Sequence, residues 1–169
     1  MKLDDLTTRL AGGELDTEIR RIYAADSAEI ASTRERLAAL IERFAADVGE
    51  ADAGLFSAPG RTEMGGNHTE HQRGHVLAGS VNLDMVACAA PNGSTTIRII
   101  SDGYPALELD TAALEPDSAE MGTSAALVRG VCRAVTDRGY AVGGFDACIT
   151  SQVPGGSGLS SSAAYEVLV

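Results

Sequence analysis

The run Val153-Pro154-Gly155-Gly156-Ser157-Gly158-Leu159-Ser160-Ser161-Ser162-Ala163-Ala164-Tyr165-Glu166 decides how this chain is read. Ahead of it, Phe145–Thr150 has the composition of a strand; behind it, Ser160–Val169 begins an apolar helix. The three glycines let the backbone curl so that successive N–H groups turn inward. The serines set hydroxyls at the helix entrance, where the helix dipole is positive. That combination suits a polyphosphate, and a hydroxyl in that place also suits Mg²⁺. A Walker A loop is excluded, because it needs a Lys and the chain's one Lys is Lys2. The plain alternative is a glycine-rich turn with serine caps and no ligand.

Upstream, Leu55-Phe56-Ser57-Ala58 reads as a short strand stopped by Pro59-Gly60. Polar groups then crowd together: Arg61, Glu63, Asn67, His68, Thr69, Glu70, His71, Gln72 and Arg73. Carboxylates, amides and imidazoles suit sugar hydroxyls, each of which both donates and accepts. Arg61, at the expected strand end, could face a phosphate with its guanidinium. His68, His71 and His75 would share one face of a helix, but the order does not match HExxH and no Cys lies nearby. A solvated polar loop is the bland reading of the same residues.

Before this region the chain reads as helix. Ile30, Leu37, Leu40, Ile41, Phe44 and Val48 recur near the helical period, with Ser27 as the expected N-cap and Gly49 as the expected stop. Shorter helices are expected over 4–10 and 14–25. Beyond it, 75–80 and 84–90 suit two strands. Pro91-Asn92-Gly93-Ser94 is a turn signal, with 95–100 expected as the return strand of a hairpin. A strand over 106–110 and a helix through Leu127, Val128, Val131, Cys132 and Val135 complete the pattern. Helices and strands mix without regular alternation, which predicts α+β. A helical segment over 1–52 and a second unit over 53–169 are expected.

The 169 residues carry 13 basic and 24 acidic side chains, a formal charge of −11. Such a surface disfavours binding to nucleic acid or to anionic membranes. The start of the chain lacks the layout of a secretory signal and no apolar run reaches membrane-spanning length, so a cytoplasmic location is expected. Cys88, Cys132 and Cys148 form no CxxC pair and are expected to be buried thiols.

Two stretches carry a family resemblance. Residues 57–74, SAPGRTEMGGNHTEHQRG, resemble the first signature of the galactokinases, APGR-x-N-L-I-G-E-H-T-D-Y-x-x-G. Residues 153–169 resemble the ATP-binding motif of the GHMP kinases. The resemblance implies an α+β fold whose N-terminal half is like ribosomal protein S5 domain 2. It also implies transfer of the γ-phosphoryl group from MgATP to the anomeric hydroxyl of galactose, giving galactose 1-phosphate. Carried over by position, Arg61 is the arginine taken to stabilise the transition state. Asn67, His68, Thr69 and Glu70 fall on the sugar-contacting Glu-His-Thr-Asp quartet. Gly156, Ser157, Gly158, Leu159, Ser160, Ser161 and Ser162 fall on the phosphate loop, with Ser162 as its Mg²⁺-binding serine. Ser101 aligns with a nucleotide-contacting position.

There are departures. Asn67 stands where the family has Glu, Glu70 where it has Asp, and Glu63-Met64-Gly65-Gly66 where it has Asn-Leu-Ile-Gly. The catalytic Asp and the Mg²⁺-binding Glu that the resemblance implies have no counterpart here. The expectation is therefore the N-terminal portion of a sugar kinase, truncated, inactive as this chain and prone to pair with a second copy through its last helix. The alternatives are a non-catalytic sugar- or nucleotide-binding module, or a kinase for another sugar such as N-acetylgalactosamine.

Overall fold

The computed structural model describes residues 1–66, 69 and 72–169. Three helices come first: α1 (Leu3–Ala11), α2 (Asp16–Tyr23) and α3 (Ser27–Asp47). Five strands follow, β1 (Gly54–Gly65), β2 (Leu77–Pro91), β3 (Thr96–Ser101), β4 (Leu107–Asp110) and β5 (Phe145–Ser151). A 3₁₀ turn (Ser118–Glu120) and α4 (Ser124–Asp137) lie between β4 and β5, and α5 (Ser161–Leu168) closes the chain. The mixed α+β class expected from the sequence is the class observed.

In α3 the apolar period holds: Ile30, Leu37, Leu40, Ile41 and Phe44 are buried. Its cap is Asp26 rather than the expected Ser27. The Asp26 carboxylate accepts from the N–H groups of Ala28 and Glu29, and the Glu29 carboxylate accepts from the Asp26 N–H, a reciprocal capping box. Gly49, at φ +98°, follows the helix end as expected.

The strands form one sheet in the order β1-β2-β5-β3-β4, antiparallel except for the parallel pair β3 and β5. Side chains alternate across it. Val86, Cys88, Ala90 and Cys148 point toward α1, α2 and α3, where Leu6, Leu10, Ile41 and Phe44 meet them. Ala87, Ala147, Ile149, Ile97 and Ile99 point the other way, toward Val128 and Cys132 of α4. Burying a large apolar side chain such as Phe44 contributes roughly 1.5–3 kcal/mol, so both faces are anchored. The three thiols are free and buried, as expected.

Three local expectations are corrected. β1 does not stop at Pro59-Gly60 but runs on to Gly65. It pairs only with β2, so the missing N–H of Pro59 leaves no ladder position empty on an inner strand. The two strands expected over 75–80 and 84–90 are one strand, β2. The expected β2–β3 hairpin does not form, because β5 inserts between those strands. Gly144, leading into β5, exchanges main-chain bonds with Asn92 and Ser94 at 3.2 and 2.8 Å. A Cβ there would stand 2.5 Å from the Thr96 carbonyl and 2.7 Å from that of Ser94, so only glycine passes. Among the described residues no helix is long and apolar enough to cross a membrane.

Candidate active site

Arg61 sits in β1 just past a break in register. Pro59 pairs with Asp84 and Arg61 with Ser80, so Gly60 alone faces Val81–Leu83 of β2. Past this irregularity the main chain of β1 meets the glycine-rich loop. The Arg61 main-chain N–H donates to the Leu159 carbonyl at 3.0 Å. Gly60 permits the approach, since a Cβ there would stand 3.0 Å from that carbonyl oxygen and 3.2 Å from the Val153 side chain. The Arg61 guanidinium, one-third exposed, is ion-paired with the buried Glu63 carboxylate at 2.8 Å. Residues i and i+2 share a strand face, so Glu63 orients Arg61 from the same side.

The loop spans the gap between β5 and α5. Gly156 and Gly158 take positive φ, and so does Ser160, at φ 59° and ψ 53°. Ser160 is the N-cap residue of α5 yet makes no side-chain cap bond. The first N–H groups of any helix lack partners within it, which leaves the start of α5 rich in donors. Ser157 is used within the loop: its hydroxyl donates to the Pro154 carbonyl at 2.7 Å and accepts from the Leu159 N–H at 3.3 Å. Leu159 is therefore structural through both its N–H and its carbonyl. Ser162 is exposed in the first turn of α5, with Ser160 and Ser161 half-buried beside it. Ala164 buries the inner face of α5 against Met85 and Val153. The exposed glycine N–H groups, the serine hydroxyls and the helix entrance form a donor set that fits phosphate, and the Ser162 hydroxyl fits Mg²⁺.

Ser101 ends β3 and stands opposite Ile149 of β5, at the same end of the parallel pair from which the loop departs. Thr69 lies in a turn, its carbonyl accepting from the N–H groups of Gln72 and Gly74 at 3.0 and 2.8 Å. Asn67, His68 and Glu70 lie outside the described residues, as does His71. No group of three or more His, Cys, Asp or Glu able to hold a metal occurs among the described residues. An apolar groove of about 420 Å³, lined by Phe56, Ala89, Pro91, Phe145 and Leu168 among others, opens toward the other end of β1 and β2 and brings no chemistry to the site.

One group near the site escaped the sequence reading. Asp84 of β2 is 1% exposed, and its carboxylate accepts from Tyr23 Oη and from Ser57 Oγ, each at 2.5 Å. It is also ion-paired with Arg36 at 2.8 Å. Burial first, then the bond to Asp84, pushes the Tyr23 phenol up to about 12. The one available clue was a single Asp within the apolar run Leu83–Ala90.

Residues 42–91, which include Arg61 and Asp84, match the galactokinase galactose-binding signature. The galactokinase of Lactococcus lactis, solved in complex with galactose, is 30% identical to this chain and superposes with a TM-score of 0.71 over 78% of it. The chain is similar to the galactokinases in this signature and in its fold. It spans 35% of the Lactococcus galactokinase. The mevalonate kinase of Methanococcus jannaschii shares the fold at 16% identity and a TM-score of 0.56, over 69% of this chain and 38% of its own. A D-glycero-D-manno-heptose 1-phosphate kinase of Bacteroides thetaiotaomicron does so at 21% identity and 0.52, over 69% and 39%. In this galactokinase-like chain the matched signature and the glycine-rich loop are joined by the bond between Arg61 and Leu159.

Proposed function

We propose that the chain is the N-terminal part of a galactokinase, an enzyme that transfers the γ-phosphoryl group of ATP to the anomeric hydroxyl of galactose. The observation that supports this most is the Arg61–Leu159 bond, which joins the arginine of the matched signature to the glycine-rich loop. Phosphoryl transfer depends chiefly on positioning and on stabilising charge. In this reading the Arg61 guanidinium, oriented by Glu63, faces the transferring group. Thr69, with Asn67, His68 and Glu70, holds the sugar. Gly156, Gly158 and the first N–H groups of α5 bind the nucleotide phosphates, while Ser157 and Leu159 shape the loop and Ser101 lies at the nucleotide end of β3. Ser162 would hold Mg²⁺, which supplies neutralisation of phosphate charge. The whole protein carries the turnover; the 169-residue chain alone binds without turning over, since it has no counterpart of the catalytic Asp that the resemblance implies.

The deciding experiment is sugar-panel phosphorylation by the full-length protein, with Arg61→Ala and Ser162→Ala beside the wild type. Galactose 1-phosphate is the expected product. Arg61→Ala should lower kcat by on the order of 10²-fold or more while sugar affinity changes little. Ser162→Ala should weaken Mg²⁺-dependent nucleotide binding. Sugar or nucleotide binding without phosphorylation of any sugar would favour a binding module, and a different phosphorylated sugar would replace galactose.

A further inference from the structure

Asp84 lies where three parts of the fold meet. Its carboxylate reaches α2 through Tyr23, α3 through Arg36 and β1 through Ser57. Arg36 also donates to Tyr23 Oη at 3.2 Å, and its guanidinium lies over the Tyr23 ring at 5.7 Å. The main chain of the same residue serves the site. The Asp84 carbonyl accepts from the N–H of Gln152, the residue that leads from β5 into the loop, at 2.8 Å. Asp84 also pairs with Pro59, the last residue of β1 before the register break that carries Arg61. The Arg61–Leu159 bond closes this circuit.

Stability is a poor explanation for such a cluster. A buried ion pair often contributes no more than apolar residues of the same volume would. Here Nε and Nη1 of Arg36 are buried with no hydrogen-bond acceptor among the described residues, so the pair is not optimised for stability. What it provides is direction. Two hydroxyl donors on one carboxylate oxygen and an ion pair on the other fix the position of β2 at residue 84, with a directionality that an apolar cluster lacks.

We propose that Asp84 is a positioning residue. It ties the N-terminal helices to the point of β2 from which both the Arg61 segment and the phosphate loop are held, and so sets the spacing between them. Its bearing on catalysis rests on reading Arg61 and the loop as one phosphoryl-transfer site.

The test is amide hydrogen exchange on the 169-residue chain, compared for wild type and Asp84→Asn. The N–H groups of Arg61 and Gln152 should exchange tenfold faster or more in the variant, while those of Ile97, Ile99 and Val128, on the far side of the sheet, keep their rates. Equal acceleration everywhere would reduce Asp84 to a general stabiliser, and no change at Arg61 and Gln152 would remove the role altogether; either result overturns the proposal. If Asp84→Asn does not fold, Ser57→Ala and Tyr23→Phe carry the test by removing one donor each, and Ser57→Thr should restore the wild-type rates. Titration of the wild-type chain with a non-hydrolysable ATP analogue and Mg²⁺ provides a separate arm. Absence of binding there would count against the kinase reading and leave the exchange result to decide the role of Asp84.

Discussion

The main-chain N–H of Arg61 donates to the carbonyl of Leu159 at 3.0 Å, between residues 98 positions apart in the chain. This bond joins the strand that bears the one-third-exposed guanidinium to a loop whose glycines and serines present donors. It depends on a residue with no side chain at the contact.

Gly60→Ala should break that relationship. The new methyl would press on the Leu159 carbonyl and on Val153, neither of which is the end of a long flexible side chain. The expected loss is about 1–3 kcal/mol of stability, read from urea midpoints. Gly65→Ala in the same strand meets nothing within 4 Å and serves as the control, with no loss expected.

Ser160→Gly should leave stability within about 0.5 kcal/mol of wild type. The left-handed conformation costs a residue with a side chain roughly 1–2 kcal/mol, whereas glycine loses about 0.5–1 kcal/mol more entropy on ordering, and the two largely offset. Ser160 makes no cap bond that the change would remove. Nucleotide affinity should nonetheless fall if the hydroxyl is kept for the ligand. Calorimetric titration of both forms checks this, and unchanged affinity would assign Ser160 no ligand role.

Tyr23 gives the fold an alkaline limit. Its phenol is held protonated up to about 12, against an ordinary 10. Between those values the folded state binds a proton that the unfolded state has released. The contribution is therefore complete below pH 10 and is lost as pH rises toward 12. Burial also raises Tyr165 and Cys88 to about 12, so the wild type falls for several reasons at once. The difference between wild type and Tyr23→Phe, followed by denaturant melts from pH 9 to 12, isolates this one group. That difference should shift in favour of the variant across the window, and a flat difference would refute the assignment.

Gly144→Ala should be among the more damaging changes in the sheet. The added methyl would meet the carbonyls of Thr96 and Ser94 at 2.5 and 2.7 Å. About 3 kcal/mol or more of destabilisation is expected, measured by thermal melts, with little effect from Gly143→Ala, which meets nothing within 4 Å.

Local patterns were readable where the physics is local. The spacing of Ile30, Leu37, Leu40, Ile41 and Phe44 predicts α3, because a helix buries one stripe through bonds within itself. Gly49 marks the end of α3 for the same kind of reason, taking positive φ. The Asp26 cap is written in the sequence as well, since Glu29 follows it three residues on and completes a capping box that Ser27 does not. Strand pairing was not legible. The turn at Pro91–Ser94 suggests a hairpin, yet β5, fifty residues further along, takes the place beside β2. That order is set by ladders between residues far apart in sequence, Cys88 with Cys148 and Ile99 with Ala147.

By itself the sequence determined the residue types of the site: an arginine and polar groups after Pro59-Gly60, and a serine-rich glycine loop leading into a helix. Their chemistry is intrinsic to side chains and backbone, so it needs no fold to be recognised. Tertiary structure decided that the two segments touch, that Glu63 orients Arg61, and that Asp84 holds both segments from beneath. Those relationships arise from register in a sheet whose neighbours are far apart in sequence, and from burial that leaves a carboxylate to find its partners on three different elements.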